Sequence, residues 1–157
     1  MSKAQVIHEL GPPDAMQWQD WDVPDPGPGE VRLRHTAIGV NFADTYHRGG
    51  ISHPWPVPKP PVVIGFEGVG VVEGVGDGVS EFQTGDRVAY GIPPLGSYSQ
   101  IRNYPADKLL HLPANLDDKQ VAAIHNNCHE LNTLYYAVTL LGYLDGCTPF
   151  GSRSQRI

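Results

Sequence analysis

Four residues near the C-terminal end of the chain carry metal-type chemistry: His125, Cys128, His129 and Cys147. His-x-x-Cys-His has helical spacing, and thiolate with imidazole suits zinc. The competing reading is stronger, because a Cys is often a small buried residue and a His on a helix is often on the surface. No metal site is assigned. The run Gly65, Gly68, Gly70, Gly74, Gly76 and Gly78 invites a different chemistry, the cradling of a dinucleotide phosphate. That fingerprint needs a helix opening directly on the glycines, because the helix N-terminus holds the pyrophosphate. Here Val79 to Thr84 runs straight into Gly85, which would interrupt such a helix almost at once. The glycines read instead as strand glycines, where they mark a bulge, a bend or a close backbone approach.

The elements around these residues are mostly strands. Ala4 to Glu9, Met16 to Trp21 and Glu30 to Gly39 read as strands, the latter two from apolar–polar alternation, with Val31, Leu33 and Ala37 on one face. Proline and glycine between residues 24 and 29 turn the chain. Asn41 to Arg48 reads as a short helix: Asn41 can cap it, Asp44 suits the helix dipole, and Gly49-Gly50 ends it. The proline-dense stretch from His53 to Pro61 must be a surface loop. The segment from Pro61 to Tyr90 reads as strand, turn, strand, and Gly96 to Arg102 and Lys108 to Leu112 read as two more strands. A helix opens at Leu116 and continues to Ala123. Leu131, Leu134, Tyr135, Val138 and Leu141 recur at helical spacing, so a second helix is expected to about Leu141, followed by a polar tail from Ser152. The fold class expected is mainly β with short helices, a curved, partly open barrel.

The 157 residues suggest one domain. With 18 Gly and 15 Pro, the composition suits a turn-rich β fold. A net charge of -6 leaves no basic face for nucleic acid or anionic lipid. Two cysteines make no disulfide framework, residues 1 to 10 lack an apolar signal core, and no apolar run approaches membrane-spanning length. A cytoplasmic chain is expected, with no membrane partner.

Four segments in combination resemble one family: Ile38 to Gly50, Gly65-Phe66-Glu67, Thr84 to Val88 and Gly96-Ser97-Tyr98-Ser99. They are similar to the zinc-independent, zeta-crystallin-like quinone oxidoreductases of the medium-chain dehydrogenase/reductase superfamily. The match corresponds to the family's N-terminal GroES-like catalytic domain, expected over residues 1–123. Residues 124–157 are expected to form a helical linker and a divergent tail, ending before the family's cofactor domain.

The resemblance implies a chemistry. Zinc-dependent relatives place a cysteine where this chain has Asn41 and a histidine where it has Phe66. A phenyl ring has no lone pair and an amide is a poor zinc ligand, so no catalytic zinc is expected. Reduction of a quinone or enone then needs hydrogen-bond donors aimed at the carbonyl oxygen. Asn41 and Tyr46 are the expected donors; whether both reach one pocket depends on where their helix starts. Asp44 is placed with them as a catalytic group. Arg48, Ser52, Trp55 and Glu67 are expected to bind or shape the substrate, although Asp44 and Arg48 could simply form an exposed i,i+4 pair. Glu67, between glycines, could equally be solvated.

The implied cofactor is NADPH, with Asn41 beside the nicotinamide and Thr133 in the linking helix. Its binding domain is not read in this sequence, so NADPH binding by this chain alone is expected to be weak. The function expected is the catalytic-domain portion of an NADPH-dependent quinone or enone reductase. The alternative is a non-catalytic GroES-like module that binds a small molecule or a partner. A homodimer is carried as a further partner.

Overall fold

The computed structural model describes residues 2–52 and 56–124. The second expected helix, the cysteine–histidine cluster, Thr133 and Trp55 lie outside the described residues.

Among the described residues, two sheets make the fold. Strands β1 (Ser2–Ile7), β2 (Met16–Trp21) and β4 (Val62–Val63) form one, in the order β2-β1-β4. Strands β3 (Glu30–Ile38), β5 (Gly68–Val75), β6 (Arg87–Tyr90), β7 (Ile101–Pro105) and β8 (Leu110–His111) form the other, in the order β7-β3-β5-β6-β8. All pairings are antiparallel. Helix α1 (Phe42–Gly49) follows β3, and helix α2 (Asp118–Ile124) follows β8. The result is an open two-sheet arrangement rather than a closed barrel.

Alternation explains the core. Val31 and Leu33 of β3 meet Val72, Val88 and Tyr104 from the neighbouring strands, all buried. A second cluster brings Val69 and Ala89 against Val121 and Ala122 of α2. The Asp117 carboxylate caps α2, accepting from the N–H groups of Lys119 and Gln120 at 3.0 and 3.1 Å. The strand glycines have the expected cause at Gly70, where a Cβ would lie 2.5 Å from the Arg34 carbonyl oxygen. The β3–β5 register shifts at Arg32/Leu33 and again at His35/Ala37, bending the sheet.

One expected strand differs. Gly96 to Gln100 is not regular β; strand character begins at Ile101. The segment instead stitches the two sheets together. Gln5 N–H donates to the Tyr98 carbonyl at 2.8 Å, Gln100 N–H to Lys3 at 2.9 Å, and His35 N–H to Gln100 at 2.9 Å. Its backbone groups are divided between partners on different elements, which prevents a continuous ladder. No helix among the described residues is long and apolar enough to cross a membrane.

Candidate functional site

Helix α1 begins where its sequence says it should. Asn41 is the N-cap, and the chain leaves the helix at Gly50 in a left-handed conformation. A capping-box arrangement joins Asn41 to Asp44. The Asp44 half is tight: its Oδ2 accepts from the Asn41 N–H at 2.9 Å. The Asn41 half is loose. Both amide atoms of its side chain are buried, and neither closes a full hydrogen bond. The Asn41 side chain still faces the Asp44 N–H, at looser than full hydrogen-bond geometry.

Asp44 itself is buried, and its Oδ2 also accepts from the Tyr98 hydroxyl at 2.8 Å. Burial raises its pKa, against the Asn41 N–H, the Tyr98 hydroxyl and the nearby His47, which lower it. Tyr98 reaches Asp44 because of Gly65. That residue has φ +84°, and a Cβ there would lie 2.4 Å from the Tyr98 ring. The Gly65 carbonyl also accepts from the N–H groups of Gly96 and Ser97, at 2.7 and 3.0 Å. The Ile64–Gly65 turn thus seats the segment that carries Tyr98.

Glu67 is 2% exposed, so the solvated alternative for this residue does not hold. Its side chain fills the space that Gly39 leaves open: a Cβ on Gly39 would lie 1.8 Å from Glu67 Oε1. Burial pushes its pKa up to about 7; the neighbouring Asn41 amide works against that shift and the Asp44 charge adds to it. Asn41, Asp44 and Glu67 thus form one enclosed group, and His47 packs edge-on against Phe66 with ring centroids 5.8 Å apart.

Behind this group lies a polar network that sequence reasoning missed. The Tyr90 hydroxyl is 2.6 Å from His35 Nε2 and 3.0 Å from Ser97 Oγ, and accepts from Arg102 Nη1 at 3.3 Å. His35 Nδ1 lies 2.6 Å from the Ser99 carbonyl oxygen, so the tautomer carrying Hδ1 donates there and receives the Tyr90 proton at Nε2. Burial, partly offset by that carbonyl and reinforced by Arg102, lowers the His35 pKa to about 4. Arg102 is buried; its Nη2 donates to the carbonyls of Pro94 and Leu95, both at 3.0 Å, and its guanidinium lies over the Tyr90 and Tyr104 rings. The signal was present in the sequence. His35 shares the alternation phase of Val31 and Leu33, and Arg102 that of Tyr104.

The other expected site residues are placed differently. Tyr46 is half-buried and packs edge-on against Phe42, with centroids 5.4 Å apart and Phe42 72% exposed. Tyr46 and Phe42 are i,i+4 neighbours, whereas Asn41, Asp44 and His47 follow i,i+3 steps, so the two sets lie on different faces of α1. None of the described cavities is lined by Asn41 or by Tyr46. Arg48 donates from Nε to the Gly11 carbonyl at 3.2 Å, and no ion pair joins it to Asp44 among the described residues. Ser52 is exposed. A groove of about 390 Å³ lies beside the site, lined by Trp18, Thr36, Ile38, Val40, Tyr98 and other residues. Among the described residues no cluster of three or more His, Cys, Asp or Glu could hold a metal. The glycine run continues as β5 and opens onto no helix, so the described residues do not fit the pyrophosphate end of a dinucleotide.

The family model for the alcohol dehydrogenase GroES-like domain matches residues 27–114. The chain is 58% identical over 117 residues to a 2-haloacrylate reductase of a Burkholderia species, covering 74% of this chain and 35% of that protein. It is 44% identical over 124 residues to a quinone oxidoreductase of Pseudomonas aeruginosa, covering 79% of this chain and 37% of that protein. A crystal structure of the Escherichia coli quinone oxidoreductase in complex with NADPH superposes with a TM-score of 0.72 at 38% identity, over 78% of this chain and 36% of that one. The chain thus spans little more than a third of the length of these relatives.

Proposed function

The chain belongs to the alcohol dehydrogenase GroES-like domain family of the medium-chain dehydrogenase/reductase superfamily, and from that premise we propose that it is the acceptor-binding, catalytic-domain portion of a reductase for quinones or activated alkenes. The relatives named as quinone oxidoreductase and 2-haloacrylate reductase support this class. Their substrates share an electron-poor double bond conjugated to a carbonyl group. A reduced nicotinamide, NADPH by resemblance, supplies the hydride when bound.

The carrying observation is the buried Asn41 amide, whose NH2 closes no full hydrogen bond among the described residues. Its N–H donors stabilise the negative charge that grows on the acceptor oxygen, in the manner of an oxyanion hole. Tyr46, on another face of α1, packs with Phe42 at the mouth, where the exposed Val40 and Phe42 offer apolar surface to a flat acceptor. Asp44 acts by holding the start of α1, and Glu67 by acting on Asn41. Arg48 steadies the helix end through Gly11, and Ser52 borders the mouth. The donor is an amide, a poor zinc ligand, and Phe66 offers no lone pair, so the reading is zinc-independent. Residues 1–123 are assigned to this domain and residues 124–157 to a linker and tail.

The test is binding of cyclohexenone and naphthoquinone to the 157-residue protein, with intact mass and NADPH-dependent turnover measured on the same preparation. N41A should weaken binding about tenfold, the loss expected for one good hydrogen bond. Unchanged affinity in N41A contradicts the reading.

A further inference from the structure

We propose that Glu67 is a positioning residue that sets which end of the Asn41 amide faces the acceptor. The inference rests on Asn41 being the acceptor's hydrogen-bond donor, as proposed above. A carboxamide is a donor at one end and an acceptor at the other, and the two ends exchange by a half-turn about the terminal bond. Glu67 lies against this amide, held in place because Gly39 leaves room for its carboxyl and because burial prevents its escape to water.

The two protonation states of Glu67 favour opposite amide orientations. As an acid, Glu67 donates its O–H to Asn41 Oδ1, and the amide N–H groups are left to meet the acceptor oxygen. As a carboxylate, it accepts from the Asn41 NH2 and repels Oδ1, drawing the donor end inward. Asp44 is already tied to the helix start and to Tyr98: its Oδ2 accepts from the Asn41 N–H and the Tyr98 hydroxyl. The proton on Glu67 thereby becomes a condition for acceptor polarisation.

The charged and titratable neighbours frame the switch. From α1, Asp44 faces Glu67, with His47 beyond it; from β6 comes Tyr90, and from the segment before β7 comes Tyr98. His35 on β3 and Arg102 on β7 reach Glu67's surroundings through Tyr90. Burial pushes both phenols above the ordinary tyrosine range and holds His35 near 4, so these three keep one charge state around neutral pH. Glu67, at about 7, changes there.

The experiment follows the side-chain amide proton–nitrogen signals of Asn41 from about pH 5.5 to about pH 8.5 in the wild-type chain and in E67Q. The wild-type signals should titrate with a midpoint near 7, and E67Q should leave them flat. Gln at 67 is nearly isosteric and does not titrate, so E67Q should bind cyclohexenone equally at both extremes. Wild type should bind it about tenfold more tightly at the acid end. Wild-type Asn41 signals that do not move with pH overturn the inference, whatever the variant does. Signals that titrate as expected, with cyclohexenone affinity unchanged by pH and by N41A, overturn instead the acceptor reading of Asn41.

Discussion

Gly39 and Glu67 are separated by most of a sheet in sequence and fit into one another in space: a Cβ on Gly39 would lie 1.8 Å from Glu67 Oε1. The glycine at the end of β3 is there for the carboxyl on the segment leading into β5. A methyl group at 39 must displace a buried acid that has no solvent to move into. G39A should therefore destabilise the fold by about 2 kcal/mol or more. In an E67A background the same substitution should cost much less, because the clash is gone. Urea unfolding of the two single variants and the double variant measures the coupling.

Glu67 also fixes a pH dependence of stability. Its ordinary pKa of 4.5 rises to about 7 in the folded chain. Below pH 4.5 both states hold the proton and the group has no effect. Between 4.5 and about 7 the unfolded chain releases the proton first, so stability falls with rising pH; above 7 the loss is complete. E67Q should match wild type near pH 4 and exceed it by up to roughly 3 kcal/mol at pH 8. Thermal melts of both proteins across that range check the difference.

His35 titrates with the opposite sign. Its folded pKa is lowered to about 4 from 6.5, so the unfolded chain binds a proton first as pH falls through that window, and stability is lost toward acid. Y90F removes the hydroxyl that meets His35, Ser97 and Arg102 together. It should cost about 1–3 kcal/mol at neutral pH, because those buried groups lose a shared partner. It should also shift the acid-side melting transition. Urea unfolding at two pH values separates the two effects.

Much of this was legible in the sequence, and the reason lies in range. Strands β2 and β3 and the start and end of α1 are written in local alternation, caps and glycines. The family resemblance likewise placed Asn41 and Glu67 near one site. What could not be read is who meets whom. Tyr98 bonds Asp44 across 54 residues and His35 meets Tyr90 across 55, contacts that no periodicity encodes. The Gly96–Gln100 segment reads as a strand because its composition is strand-like, yet its backbone groups are taken by several elements. The separation of Tyr46 from Asn41 was in principle visible: an i,i+5 spacing turns the two toward different sides of a helix.

The glycines of β5 carry a prediction about the cofactor. They sit on a paired strand, with no helix opening onto them. NADPH titrated into the 157-residue chain should not saturate at micromolar concentrations. Fluorescence or calorimetry reads this directly, and a micromolar Kd would overturn the assignment of these glycines to strand packing alone.

The central claim is that an amide polarises the acceptor's carbonyl. Isotope-edited infrared difference spectra of cyclohexenone bound to the chain report that polarisation on the carbonyl itself. The account predicts a carbonyl stretch below its value in buffer for wild type, returning toward the buffer value in N41A and unaffected by a zinc chelator. A bound carbonyl with the same frequency in wild type and N41A, or one whose shift vanishes on chelation, would contradict it.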